Sequence, residues 1–270
     1  MTPSSPEISV VIPARDEAGA IVPLVEEVAH ALADRQFEVI VIDDGSADGT
    51  AQALDVLRAR HRWFRFIRNE APRGQSGAIR QGVRQARGRL IVTLDGDGQN
   101  PPDQIPRLLA PFAAVGTERL GLIQGERVGR RDTAARRWAS RGANRLRRAL
   151  LRDGVRDSAC GLRVFRREAY LDLPWFDHIH RFLPAMMLRE GWDVACVPVT
   201  HRPRIVGRSK YSNLSRALVG GPDLLGAAWL VRRAGDCRGR RIEAPAEIPA
   251  SVDHAAHPQA ANVDGATEAA

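Results

Sequence analysis

The sequence carries a continuous apolar run that ends in an acidic turn, Glu38-Val39-Ile40-Val41-Ile42-Asp43-Asp44-Gly45. A similar run lies upstream at Ile8 to Pro13, and apolar residues at helical spacing over 21–32 separate the two. Further strands are predicted at Phe64–Ile67 and Arg89–Leu94. Because these runs alternate with predicted helices, the sequence indicates an α/β fold with a mainly parallel sheet flanked by helices.

The helices between these strands have recognisable boundaries. Ser46 or Asp48 is expected to cap the helix that carries Leu54 and Leu57, and another helix is predicted over 75–87. The alternation loosens after residue 100. There the patterns predict a helix at Ile105–Phe112, then strands at Leu120–Gln124, Ser158–Phe165 and Asp193–Val199, the last at a sheet edge.

Composition divides the chain of 270 residues into four parts. Residues 1–6 and 235–270 lack periodicity and are predicted to be disordered, whereas 7–213 form a globular domain. Residues 214–234 are predicted to be an amphipathic segment in a membrane interface, with Trp229 as an anchor. The run Ala217–Val231 is too short to span a bilayer, since spanning takes about 20 apolar residues, and Gly220-Gly221-Pro222-Asp223 interrupts it.

The cysteines and the N-terminus indicate a cytoplasmic protein. Cys160, Cys196 and Cys237 are isolated from one another, which argues against a zinc site or a disulfide framework. Cys160 and Cys196 lie in apolar runs and are expected to be buried and inert. The N-terminus has no basic region followed by an apolar run, so no signal peptide is expected. His178, His180 and His201 are interpreted as ordinary surface or core residues.

Arginine accounts for almost all of the positive charge in a chain of net charge +8, and Lys210 is the only lysine. A GC-rich genome would explain this excess, as would a surface that binds phosphates or anionic lipids. Residues 127–152 hold ten arginines and one acid, Asp132. An apolar stripe recurs every fourth residue there, so a basic amphipathic helix over 133–151 is expected to lie on an anionic membrane or to pack on the sheet. No motif supports binding to nucleic acid.

Two carboxylates follow the fourth predicted strand in Asp95-Gly96-Asp97-Gly98-Gln99. Alternate residues of an extended segment point the same way, and the intervening glycine lets a ligand approach the backbone. Hard oxygen ligands of this kind suit Mg²⁺ or Mn²⁺ bridging a diphosphate. The alternative interpretation is an ordinary Asp-Gly turn.

Three further polar segments lie at predicted strand ends, where α/β sheets bind ligands. Asp43 and Asp44 are able to accept hydrogen bonds from a nucleobase or ribose, or to cap a helix. Pro13-Ala14-Arg15-Asp16-Glu17 either contacts a ligand or begins a helix. The glycine-rich segment 69–78 resembles a phosphate loop but has neither of the usual glycine spacings.

In this order and spacing, the four segments resemble glycosyltransferase family 2, whose members use nucleotide sugars and have the GT-A fold. The chain is similar to its polyprenyl-phosphate branch, which includes dolichyl-phosphate mannosyltransferase and undecaprenyl-phosphate glycosyltransferases. Three motifs within residues 7–231 carry this resemblance. They are Asp95-Gly96-Asp97-Gly98-Gln99-Asn100-Pro101-Pro102, Asp157-Ser158-Ala159-Cys160-Gly161-Leu162-Arg163-Val164-Phe165 and His201-Arg202-Pro203-Arg204-Ile205-Val206-Gly207-Arg208-Ser209-Lys210-Tyr211.

The resemblance implies a role for each matching residue. It places the metal at Asp95, Asp97 and Gln99, and the acceptor phosphate at Arg127, Arg136 and Ser140. The expected catalytic residues are Asp97, Arg127 and Asp157. The donor site that it implies consists of Pro13, Arg15, Glu17, Asp43, Asp44, Asp95 and Gly96, with Arg204 and Lys210 on a loop that closes over the diphosphate. The branch often has an aromatic residue where Arg15 stands.

The expected activity is an inverting transfer of a sugar from a nucleotide diphosphate to a polyprenyl phosphate, with Mg²⁺ or Mn²⁺ as cofactor. The enzyme is expected to be peripheral on the cytoplasmic membrane face and to serve cell envelope synthesis. One alternative is transfer to a hydroxyl acceptor with Asp157 as the base. Another is a degenerate, non-catalytic fold that binds only a nucleotide or a membrane. The sugar, the choice between UDP and GDP, and the oligomeric state stay open.

Overall fold

A seven-stranded mixed sheet forms the centre of the protein in a computed structural model that describes residues 5–114, 116–128, 147–203, 213–234 and 238–244. Its strand order is β3-β2-β1-β4-β6-β5-β7, and only β6 runs antiparallel to its neighbours. The strands are β1 (Ile8–Ala14), β2 (Phe37–Asp43), β3 (Phe64–Arg68), β4 (Leu90–Thr93), β5 (Leu120–Arg127), β6 (Arg163–Arg166) and β7 (Asp193–Val199).

Helices cover both faces of the sheet, as expected for strands that are apolar on both sides. They are α1 (Ile21–Ala31), α2 (Thr50–Arg60), α3 (Gly74–Gln85), α4 (Ile105–Leu109), α5 (Arg167–Leu171), α6 (Leu183–Arg189) and α7 (Asn213–Arg232). One apolar core packs α1 and α2 against the sheet, and a second core packs α3, α6 and α7 against the other face. The predicted α/β architecture with a mainly parallel sheet is confirmed.

Two local predictions are wrong. The predicted strand Ser158–Phe165 shrinks to β6, because residues 157–162 form a loop whose carbonyl groups accept hydrogen bonds from Arg163. Neither Ser46 nor Asp48 occupies the N-cap of α2, which is Gly49. Asp48 instead accepts hydrogen bonds from the Thr50 N–H and hydroxyl, and Ser46 accepts one from the Asp16 N–H.

The C-terminal part is more ordered than its composition indicates. Residues 213–232 form one continuous helix through Pro222. Residues 238–244, within the tail predicted to be disordered, lie along the edge strand β7. Val194 of the edge strand β7 donates a hydrogen bond to the Arg240 carbonyl and accepts one from the Ile242 N–H. The position of β7 at the sheet edge is confirmed.

Most of the predicted basic helix over 133–151 lies outside the described residues, and only 147–151 are seen, as a helical segment. Arg147 is buried there and forms a bidentate pair with the buried Asp153, with Nη1–Oδ2 and Nη2–Oδ1 distances of 2.5 and 3.2 Å. This pair anchors the segment to the chain that leads into the loop over 157–162.

Candidate active site

The polar segments singled out in the sequence meet at one edge of the sheet. Strands β1, β2, β4 and β5 all point their carboxyl ends toward this edge. The order of the strands reverses between β1 and β4, because the chain after β1 continues to β2 on one side and the chain after β4 continues to β5 and β6 on the other, and α/β sheets bind ligands at such a position. The candidate site is therefore built from loops that follow parallel strands.

Asp95 lies at the centre of this edge, two residues beyond β4, with a partly buried side chain. Its Oδ1 accepts a hydrogen bond of 2.8 Å from Gln75 Nε2, and its carboxylate packs directly on Gly161. Burial raises the pKa of Asp95, and the charge of Asp97 raises it further, whereas the positive charges of Arg163 and Arg127 oppose the shift. A cation between the two acids would relieve this repulsion.

Asp97 and Gln99 lie in the same turn as Asp95, so the structure brings the three predicted metal residues together. Asp97 is buried, and its Oδ1 accepts a hydrogen bond of 3.1 Å from the Gln99 N–H. Gly96 packs against β1, where an added Cβ would lie 3.1 Å from the Pro13 carbonyl oxygen. The turn is therefore fixed to the end of β1.

Arg202 secures this turn, and the sequence analysis gave it no role. Its N–H donates to the Gln99 carbonyl at 3.1 Å, and its Nε donates to the Gly98 carbonyl at 2.5 Å. Its Nη2 lies 2.9 Å from Glu27 Oε2, an ion pair without hydrogen-bond geometry. Arg202 thus ties the turn to α1 and to the chain that enters residues 204–210.

A pair of carboxylates suits Mg²⁺ or Mn²⁺, which proteins commonly hold with one or two carboxylates together with substrate phosphate oxygens. Within the described residues, no group of three His, Cys, Asp or Glu side chains is placed to hold a metal ion. Two carboxylates such as Asp95 and Asp97 would leave the other coordination positions of such a cation to further oxygen ligands.

Asp44 organises the chain that enters α3. Its Oδ1 accepts hydrogen bonds from Asn69 Nδ2 and the Arg73 N–H, and its Oδ2 accepts one from the Gly74 N–H, all within 3.0 Å. Of Asp43 and Asp44, it is Asp44 that caps a helix, and this helix is α3. A carboxylate has about four acceptor sites, so Asp44 retains capacity for a ligand.

Asp43 is fully buried and serves the turn that follows β2. Its Oδ1 accepts a hydrogen bond of 3.0 Å from the Ser46 N–H, and its Oδ2 lies 3.6 Å from Arg68 Nε. Asp43 thus holds the turn after β2, as Asp44 holds the start of α3.

The first predicted donor segment, residues 13–17, is joined to the turn after β2. Arg15 is exposed, Pro13 and Glu17 are partly buried, and the Glu17 N–H donates to Thr50 Oγ1 at 2.9 Å. Asp16 has a positive φ of 55°, a region uncommon for residues other than glycine. These bonds hold the ends of β1 and β2 in one arrangement.

Arg127 and Asp157, predicted to act separately, form a bidentate ion pair. Arg127 Nε and Nη2 donate to the two oxygens of Asp157 at 2.7 and 2.8 Å. Burial lowers the pKa of Arg127, but hydrogen bonding to Asp157 and the attraction of its charge outweigh burial, so the pKa is raised. Arg127 is thus a permanent cation at the end of β5, and its Nη1 takes no part in the pair.

The loop over 157–162 is supported by Arg163, another residue to which the sequence analysis gave no role. Arg163 is buried, and it donates to the Cys160 carbonyl at 2.6 Å and to the His180 carbonyl at 2.7 Å. Gln124 Nε2 donates to the same Cys160 carbonyl. A glycine inside an apolar run often marks a place where another group approaches the backbone closely. Gly161 is such a glycine, since the Asp95 carboxylate packs on it.

The remaining predicted site residues, Arg136, Ser140, Arg204 and Lys210, lie outside the described residues. Cys160 is buried, as predicted, and burial raises the pKa of its thiol to about 11, so it is an unreactive thiol at neutral pH. Cys196 is only partly buried, and burial raises its pKa to about 12.

Comparison with known proteins identifies related sequences over most of the chain. A sequence model described as glycosyl transferase family 2 matches residues 9–173. Dodecaprenyl-phosphate galacturonate synthase of Rhizobium johnstonii is 33% identical over 238 residues, which cover 84% of this chain and 68% of that protein. Undecaprenyl-phosphate 4-deoxy-4-formamido-L-arabinose transferase of Pseudomonas aeruginosa is 35% identical over 209 residues, which cover 76% of this chain and 60% of that protein.

Solved structures share the fold at lower identity. Glucosyl-3-phosphoglycerate synthase from Mycobacterium tuberculosis, in complex with Mn²⁺, UDP-glucose and phosphoglyceric acid, superimposes with a TM-score of 0.61 and 20% identity. The match covers 86% of this chain and 81% of that one. A mannosyltransferase from Pyrobaculum calidifontis, in complex with GDP-mannose and Mn²⁺, gives a TM-score of 0.56 and 18% identity over 84% of this chain and 70% of that one.

Proposed function

The chain belongs to glycosyl transferase family 2, and we propose that it transfers a sugar, with inversion, from a nucleotide-diphosphate sugar to a polyprenyl phosphate. The names of two relatives at 33% and 35% identity, both polyprenyl-phosphate sugar transferases, support this acceptor. The chain spans 68% and 60% of the lengths of these relatives.

On the donor side, Asp95 and Asp97 would hold a divalent ion, Mg²⁺ or Mn²⁺. When bound, such an ion supplies positive charge that neutralises the departing nucleoside diphosphate. Asp44 accepts hydrogen bonds from the nucleoside, while Gln75 keeps Asp95 oriented. Arg204 and Lys210, beyond the described residues, complete the diphosphate contacts.

On the acceptor side, the Arg127–Asp157 pair beside Asp95 is the observation that carries the proposal. A phosphate monoester is largely ionised at neutral pH, so its attack on the anomeric carbon needs no general base. Both oxygens of Asp157 are bonded to Arg127, which fixes the guanidinium at the end of β5 in one orientation. Arg127 Nη1 then binds the acceptor phosphate, together with Arg136 and Ser140.

We further propose that residues 7–213 are the catalytic domain and that α7 docks on the cytoplasmic face of the membrane. On α7, Ala227, Ala228 and Val231 face the protein core, whereas Leu225 and Trp229 are 67% and 58% exposed. Arg233 lies over the Trp229 ring at 5.6 Å, which suits an interface of anionic lipid headgroups. None of the helices within the described ranges is long and apolar enough to cross a bilayer.

A transfer assay tests the acceptor. UDP- and GDP-sugars are first screened by thermal shift with Mg²⁺ or Mn²⁺, and the best donor is then incubated in radiolabelled form with undecaprenyl phosphate. Label should enter the lipid, and Asp97→Ala should slow the transfer about 10²–10³-fold, the usual cost of losing one electrostatic contact to a transition state. Consumption of the donor only with a hydroxyl acceptor would contradict the proposal, as would unchanged turnover by the variant.

A further inference from the structure

A short segment between α5 and α6 connects α7 to the candidate site. We call residues 177–181 the histidine loop. It contacts α7 through His178 and Arg181, and it contacts the first turn of α3 through His180. Neither histidine has a part in the proposed transfer reaction.

The contact with α7 joins the side chains of His178 and Asp223. His178 Nδ1 lies 2.8 Å from Asp223 Oδ2, and its Nε2 lies 3.6 Å from Asp177 Oδ2. His178 has a positive φ of 62°, a conformation that a residue other than glycine keeps only where its surroundings impose it. The Arg181 guanidinium lies beside Gly220, where an added Cβ would be 3.7 Å from Nη1.

The contact with α3 is buried and specific. Ser76, in the first turn of α3, is 1% exposed, and its Oγ lies 2.6 Å from His180 Nδ1. Burial holds the pKa of His180 well below its usual value, so the ring is neutral, and its tautomer decides whether Nδ1 or the serine hydroxyl donates. Arg163 holds the other side of this residue by donating to the His180 carbonyl at 2.7 Å.

Ser76 is adjacent in the chain to Gln75, whose Nε2 donates to Asp95. A nucleophilic role for the Ser76–His180 pair is excluded by burial, because no substrate reaches an Oγ with 1% exposure. What the pair does is hold the first turn of α3, and with it Gln75, in register with Asp95.

We propose that His178 and His180 are positioning residues. Through them, α7 holds the first turn of α3, which carries Gln75, against Asp95. The histidine loop contacts α7 at Asp223 and Gly220, and its side-chain hydrogen bond to the first turn of α3 is at Ser76. Docking of α7 on a membrane would thus stabilise the metal-binding end of the site. This consequence rests on the proposed function, whereas the linkage within the protein is independent of it.

Hydrogen–deuterium exchange of the full chain tests the linkage without any substrate. Asp223→Ala removes the side chain that holds His178, and Asp55→Ala on α2 is the matched control, since Asp55 forms a surface pair with Arg58. We expect Asp223→Ala to speed exchange about fivefold, the change expected for one lost hydrogen bond, in peptides covering both the histidine loop and residues 73–79. The control should change neither.

Faster exchange confined to the histidine loop would overturn the proposal, as would no change in either peptide. A second pair of variants separates positioning from general packing. In His180→Asn the side-chain amide, which both donates and accepts, replaces Nδ1 as the partner of Ser76, so exchange at 73–79 should stay near wild type, whereas His180→Ala should raise it. Equal effects of the two variants would show that His180 only fills space. Failure of the wild type to bind vesicles or transfer sugar would instead refute the proposed function and leave these results unchanged.

Discussion

Replacing Gly161 by alanine should displace the Asp95 carboxylate while leaving every charge in place. A Cβ at Gly161 would lie 2.5 Å from Asp95 Cγ and closer still to Oδ2. Non-bonded carbon contacts are optimal at about 3.5–4.0 Å, so one side must retreat by about 1 Å. The backbone of the loop resists this shift, since the Gly161 carbonyl accepts a hydrogen bond from Thr93 Oγ1 and the Leu162 carbonyl accepts one from the Gly125 N–H.

The carboxylate therefore moves. A misplacement of about 1 Å at a reacting centre typically costs about 100-fold in rate. That factor corresponds to about 2.7 kcal/mol of lost transition-state stabilisation. We expect Gly161→Ala to lower kcat/KM for the donor by this amount in the radiolabelled transfer assay, and to raise the Mn²⁺ concentration needed for half-maximal thermal stabilisation.

Gly116→Ala is the matched control. Gly116 has a φ of 79° with nothing within 4 Å of an added Cβ, so alanine there costs about 1–2 kcal/mol of stability through the backbone alone. It should leave kcat/KM unchanged at a temperature where both variants are folded. If Gly161→Ala stays within about threefold of Gly116→Ala in kcat/KM, far from the 100-fold loss, the inferred contact with Asp95 does not govern the reaction.

Three other results are expected. Asp153→Asn leaves the buried Arg147 without its counter-charge and should lower the free energy of urea unfolding by about 3–5 kcal/mol; a loss below about 1 kcal/mol would contradict the pair. The pKa of His180 is lowered on folding, so below about pH 6.5 the unfolded chain binds a proton that the folded chain does not. The free energy of unfolding therefore decreases as the pH is lowered below about 6.5, by up to about 1.4 kcal/mol per pH unit. The free energy of unfolding of wild type minus that of His180→Asn, measured in urea, should be smaller at about pH 5.5 than at about pH 7.5. The same difference at both pH values would refute this expectation. Replacing Leu225 and Trp229 by glutamine should reduce binding to anionic vesicles at least about tenfold in co-sedimentation. Unchanged binding would show that α7 does not enter the membrane.

The strands that form the site were predictable because each is a continuous apolar run that ends in a polar turn. β1, β2 and β4 are such runs, and their ends carry Asp43, Asp44, Asp95 and Asp97. The two-residue spacing in Asp95-Gly96-Asp97 was likewise enough to predict neighbouring carboxylates, and the effect of Asp97 on the pKa of Asp95 agrees with that.

The contacts between distant segments were not predictable from local pattern. Arg127 and Asp157 are 30 residues apart, and Ser76 and His180 are 104 apart. Arg127 and Asp157 meet because the sheet order places β6 between β4 and β5, whereas Ser76 and His180 meet where α3 and the histidine loop pack on the same face of the sheet. The same order explains the shortened strand β6, since residues 157–162 bend to pack Gly161 on Asp95 and cannot continue the ladder.

The arginine excess also has two physical origins that composition alone does not separate. Exposed arginines such as Arg87 and Arg107 have no geometric requirement for a guanidinium, so a lysine would serve equally well at these positions. Arg163 differs, because its planar guanidinium donates to backbone carbonyls of two separate loops while buried. A lysine ammonium has a single nitrogen and could not reach both carbonyls in that geometry. The buried arginines that flank Asp95 are therefore required by the site's structure, and the net charge of the chain does not by itself identify a binding surface.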